Sequence, residues 1–79
     1  GVDLGSRSVF DKQGGKLNLG TINIKGNSFN NDQGQLTVKS ANIQTSSFTN
    51  QQGQLASNST LNIQTQSANN KDGKIQSIA

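Results

Sequence analysis

Apolar and polar residues alternate in short runs along this chain. Leu17-Asn18-Leu19, Ile22-Asn23-Ile24, Leu36-Thr37-Val38 and Ile43-Gln44-Thr45 are examples. A period of two puts successive side chains on opposite faces of an extended strand. No helical spacing of i, i+3, i+4 and i+7 persists anywhere. Turn formers separate the runs: Asp11-Lys12-Gln13-Gly14-Gly15, Asn30-Asn31-Asp32-Gln33-Gly34, Thr49-Asn50-Gln51-Gln52-Gly53 and Asn69-Asn70-Lys71-Asp72-Gly73. The pattern predicts short strands joined by polar corners.

The pattern also repeats. Phe10, Phe29, Phe48 and Ala68 are 19, 19 and 20 residues apart. Gly15, Gly34, Gly53 and Gly73 each follow five residues later, and Leu17, Leu36, Leu55 and Ile75 two residues after those. Leu4, Ile24, Ile43 and Ile63 form another column, and Ser8, Ser28, Ser47 and Ser67 precede the Phe/Ala position, with Val9 an extra residue in the first case. Five columns in one phase make chance a poor explanation. Each repeat supplies about three short strands, and one such unit cannot bury its inward face alone. Coiling the chain and stacking the coils at roughly 4.8 Å solves that problem.

Residues 1–79 are therefore expected to form one all-β unit, a parallel β-helix (solenoid) of about four rungs of 19–20 residues, with landmarks at positions 10, 29, 48 and 68. The expected core columns are Phe10, Phe29 and Phe48; Leu17, Leu36, Leu55 and Ile75; and Ile24, Ile43 and Ile63. Gly15, Gly34, Gly53 and Gly73 are expected at turn positions of positive φ. Leu55 to Leu61 takes six steps where Leu36 to Ala41 takes five, which predicts a bulge or longer corner at Ala56 to Thr60. Both end rungs are expected to expose strand edges.

Composition explains why stacking is needed. Leu, Ile, Val and Phe number 18 of 79 residues, whereas Asn, Gln, Ser, Gly and Thr number 46. A compact globule of this size needs more apolar area to offset chain entropy. A solenoid needs less, and Asn and Gln amides can hydrogen-bond along a column to their copies.

The chain has no His, Cys, Tyr, Trp, Met, Pro or Glu. That excludes disulfides, thiolate metal sites and His-based catalysis. No run approaches the ~20 apolar residues of a membrane helix, and no charged-then-apolar signal segment opens the sequence. A first residue of Gly rather than Met reads as a piece of a longer protein. The four acids, Asp3, Asp11, Asp32 and Asp72, do not stack on adjacent rungs, so corner capping is expected in place of acid–base or Ca²⁺ chemistry. Hence no catalytic, cofactor-binding or metal-ligating residue is assigned. The net charge is +3, but Gln35 and Gln54 interrupt the column of Lys16 and Lys74, and the Phe residues are placed inside. A nucleic-acid partner is not expected. Thr21, Ser40 and Thr60 share a column without forming the regular Thr-x-Thr ranks of an ice-binding face.

Asp11-Lys12-Gln13-Gly14-Gly15-Lys16-Leu17, Asn69-Asn70-Lys71-Asp72-Gly73-Lys74-Ile75, and Phe29 to Leu36 followed by Ala41-Asn42-Ile43 carry a resemblance. They resemble the haemagglutinin repeat of filamentous haemagglutinin adhesins and of contact-dependent growth inhibition exoproteins. The resemblance spans nearly the whole chain. It departs where Gln33, Gln52 and Asp72 replace a second Gly and where Ala68 replaces Phe. It implies a right-handed coil within a long secreted virulence protein at a bacterial cell surface. The implied partners are neighbouring rungs of the parent chain and an outer-membrane transporter of the two-partner secretion type. A host or target-cell receptor is implied without being identified. The expected function is a rigid spacer or display stalk, not an enzyme and without cofactors. The alternatives are a functional amyloid-type fibril subunit and, less favoured, a carbohydrate-binding or carbohydrate-acting β-helix.

Overall fold

The alternating runs become strands. The computed structural model describes residues 2–11 and 14–78, with side chains from residue 14 onward. Its elements are β1 (Val2–Asp11), β2 (Lys16–Asn30), β3 (Gln35–Thr49), β4 (Gln54–Ser57), β5 (Leu61–Asn69) and β6 (Lys74–Ser77). No helix occurs among the described residues. Every strand pairing is parallel: β1 with β2, β2 with β3, β3 with both β4 and β5, and β4 with β6. One long strand paired with two successive short ones is the mark of a coil stacked on its own next turn. The fold is a parallel β-solenoid.

The register is the sequence repeat. β2 and β3 pair at a constant offset of 19, matching Leu17 with Leu36, Ile24 with Ile43 and Phe29 with Phe48. The pairs skip Gly20 and Lys39, and again Asn27 and Ser46. These skips divide each rung into three strands, separated by two bends and a closing turn. At β3 and β5 the offset becomes 20, as the extra residue requires: Ile43 pairs with Ile63 and Phe48 with Ala68. The insertion is absorbed where expected, at a bend over Asn58 and Ser59. There Ser57 turns inward, fully buried, and its hydroxyl donates to the Thr60 carbonyl at 2.8 Å, with the Lys39 carbonyl 3.2 Å away.

The register of β1 and the number of coils depart from expectation. In β1 the register shifts twice, so Val9 and not Ser8 pairs with Ser28, while Phe10 still meets Phe29. The chain also makes about three full turns where four rungs were expected. Four strands lie on the face of Lys16, Gln35, Gln54 and Lys74, but only three complete coils connect them, because the first and last rungs are partial.

The inward columns fill the coil. Ile22, Ile24, Phe29, Leu36, Val38, Ala41, Ile43, Phe48 and Leu55 are buried. Removing each larger side chain from water contributes about 1.5–3 kcal/mol. The Phe29 and Phe48 rings stack with centroids 4.8 Å apart and planes inclined by 6°, the spacing of the rungs themselves. The Phe10 side chain lies outside the described residues. Leu17, expected in the core, is 38% exposed. Its strand segment pairs with β3-bearing coil on one side only, since β1 begins opposite Ile22. Ile63 and Ile75 are half-buried for the matching reason at the other end, where β5 and β6 have no following strand.

Candidate functional site

The feature that organises this chain is its corner. Asn31-Asp32-Gln33-Gly34 closes as a turn, with the Gly34 N–H donating to the Asn31 carbonyl at 3.1 Å. Gly53 to Asn50 and Gly73 to Asn70 repeat the bond. The expectation of positive φ at the repeated glycines holds at Gly15 (φ 72°) but not at Gly34, Gly53 or Gly73. The left-handed residue comes one position earlier: Gly14, Gln33 (60°), Gln52 (56°) and Asp72 (55°). The later glycines are needed for closeness. A Cβ on Gly53 would fall on the Asn31 carbonyl oxygen and within 2.5 Å of Asn50 Oδ1. A Cβ on Gly73 would fall on the Asn50 carbonyl oxygen and Asn70 Oδ1.

What crowds those glycines is a ladder of buried amides. Asn31 Nδ2 donates to Asn50 Oδ1 at 2.7 Å and to the Gln54 carbonyl at 2.9 Å. Asn50 Nδ2 donates to Asn70 Oδ1 at 2.8 Å and sits 3.2–3.3 Å from the carbonyls of Lys74 and Gly53. Asn31 and Asn50 are fully buried. The ladder has a direction, each amide group donating to the following rung. Among the described residues, Asn31 Oδ1 is left buried without a partner; the residue 19 positions earlier is Lys12, outside the described residues. Sequence reading assigned these asparagines only to turns. The signal was present, since Asn31, Asn50 and Asn70 each precede the repeated Gly by three residues.

The acids serve the same corner. Asp32 accepts the Gln51 backbone N–H of the next rung at 2.8 Å, and its own N–H donates to Asn30 Oδ1 at 2.9 Å. Asp72 lies in the equivalent turn two rungs away. The side chains of Asp3 and Asp11 lie outside the described residues. Among the described residues no three His, Cys, Asp or Glu stand together to hold a metal ion.

Two shallow grooves run along the outer faces. One, about 360 Å³, is lined by Lys25, Gln44, Ser46, Gln64 and Thr65. The other, about 310 Å³, is lined by Thr21, Asn23, Ser40, Asn42 and Thr60. In the second, Ser40 donates to Thr21 Oγ1 (3.1 Å) and Asn42 to Asn23 Oδ1 (3.3 Å), so outward polar side chains bond to their own copies. Neither groove is lined by a carboxylate. Lys16 and Lys74 occupy the two ends of one column, separated by Gln35 and Gln54.

No family model matches the chain, and no curated protein or solved structure matches it.

Proposed function

We propose that this chain is a structural repeat segment of a large secreted bacterial surface filament, acting as a rigid spacer or display stalk without catalysis. The observation that carries this reading is the sorting of the side chains. Apolar residues and one amide ladder hold rung to rung, while the outward faces of the described residues present mainly amides and hydroxyls, with Lys25 beside them. A structure in which successive copies of the repeat stack in register is suited to length and stiffness. The haemagglutinin-repeat resemblance supplies the cellular setting: two-partner export, an adhesin or contact-dependent toxin-delivery parent, and a cell-surface location. The test is surface labelling of intact cells that express the parent chain, with and without the candidate outer-membrane transporter. Labelling that depends on the transporter supports the reading. A parent chain retained inside the cell in both cases overturns it.

One observation favours a second reading. β5 and β6 end the sheet with unpaired edges, and Asn/Gln ladders also suit stacked fibrils. A fibril subunit forms thioflavin-binding, unbranched fibres from the isolated chain. A spacer stays a soluble monomer with β circular dichroism.

A further inference from the structure

The end of the solenoid at β5 and β6 carries an instruction about what stacks on it. In each rung junction the Asn amide donates twice: to the Asn Oδ1 of the next corner, and to the carbonyl of the residue after the next corner's Gly. Asn70 accepts from Asn50 but has no acceptor for its own Nδ2 among the described residues. On the same end of the solenoid, Leu61, Ile63 and Ile75 are half-buried, and the edges of β5 and β6 are unpaired among the described residues. The apolar columns and the ladder both stop in mid-pattern.

We propose that this end is the acceptor for one specific occupant: a further parallel rung of the filament whose corner reads Asn-x-x-Gly. This rests on the stalk reading and adds a sequence rule to it. The interface is continuous with that between β3 and β5 and between β4 and β6. Such a rung supplies Asn Oδ1 and the post-Gly carbonyl at the positions already used by Asn50 and Asn70. A second copy of this chain does not satisfy the rule. In its sequence the position 19 residues before Asn31 is Lys12 in place of Asn, and an ammonium group donates without accepting. The same stacking sets Lys16 of one copy in the column directly after Lys74 of the other, and like charges on adjacent strands repel. The first rung thus disfavours self-stacking at the end where the last rung invites an Asn-type neighbour.

The experiment extends the chain by one rung. A copy of residues 41–57, joined directly to Ala79, keeps an offset of 19 from β5. Two versions are made, one retaining the copied Asn50 and one with that residue as Lys. Amide hydrogen exchange is read over Leu61–Asn69 and Lys74–Ser77. The Asn version slows exchange there by roughly tenfold or more; the Lys version does not. Asn70→Asp keeps the acceptor used by Asn50 and replaces the donor with an acceptor, so it restores protection in the Lys version. Equal protection by both versions overturns the ladder rule and leaves the stalk intact. Protection by neither overturns the acceptor end and counts against the stalk as well. End-to-end dimers of the unextended chain overturn the exclusion of a second copy.

Discussion

Thr45 shows how far a single side chain can sit from its best partner. It points inward, 7% exposed, and its hydroxyl has no hydrogen-bond partner. A buried, unsatisfied hydroxyl costs about 1–3 kcal/mol, and Val has nearly the same shape. Thr45→Val is therefore expected to raise unfolding free energy by about 1 kcal/mol, read as a higher urea midpoint at unchanged slope; a lower midpoint would show that the hydroxyl is bonded in solution. Gln52 and Gly53 make a contrasting pair. Gln52 holds φ at 56°, a region that costs a non-Gly residue about 1–2 kcal/mol, so Gln52→Gly should be neutral or slightly stabilising. Gly53→Ala should destabilise by at least about 2 kcal/mol, because the added methyl falls on a backbone carbonyl and a buried amide that cannot swing aside. If thermal melts rank the two variants the other way, the corner is not built as described. The repeated Gly was legible from spacing alone, but its reason was not. Sequence shows that a side chain is unwelcome at that position. It does not show whether φ or an approaching neighbour excludes it.

Within a rung, two devices of different chemistry hold the coil to its neighbours. The aromatic pair is the simpler one. Phe48→Ala removes a fully enclosed ring stacked on Phe29 and should cost about 3–5 kcal/mol. The amide ladder is the sharper one, because Asn50 contacts Asn31, Asn70 and two carbonyls, and the buried partners, Asn31 and Gly53, are left in a dry corner when it goes. Asn50→Ala should cost about 3 kcal/mol or more, as much as the ring despite the smaller side chain. A double-mutant cycle with Asn31→Ala reads the coupling directly; strict additivity would mean that the 2.7 Å bond contributes nothing. The strands, their order and, beyond the two shifts in β1, their register were legible, because a period of two inside a period of 19–20 leaves one way to align the columns. The exposure of Leu17 was not. A column position says which way a residue points, and only the stacking partner on each side decides whether water reaches it. The outward grooves were equally hidden, since bends at Gly20, Lys39, Asn27 and Ser46 carry no common residue type.

At the scale of the whole molecule, the coil sets length independently of width. Each coil adds one strand spacing, about 4.8 Å, whatever its outward residues are. The chain measures 27 × 25 × 20 Å, so four strands per face already account for one dimension, and the other two are the cross-section of the coil. Growth in one direction at fixed cross-section is the property a stalk requires and a globule lacks. The strand pairings join each coil to the next, which makes stability approximately a sum over junctions. Internal duplication of one full repeat, residues 35–53, should therefore lengthen the molecule by about 5 Å along the coil axis. It should raise the thermal midpoint as well, because it adds a junction of the best-buried type, Leu36 on Leu36 and Asn50 on Asn50, without changing either end. Small-angle scattering of chains with one, two and three inserted repeats tests this. A cross-sectional radius that stays constant while the maximum dimension grows linearly is the expected series. A maximum dimension that plateaus as the cross-section grows would show coils packing side by side, and neither a stalk nor a column of like residues survives that result.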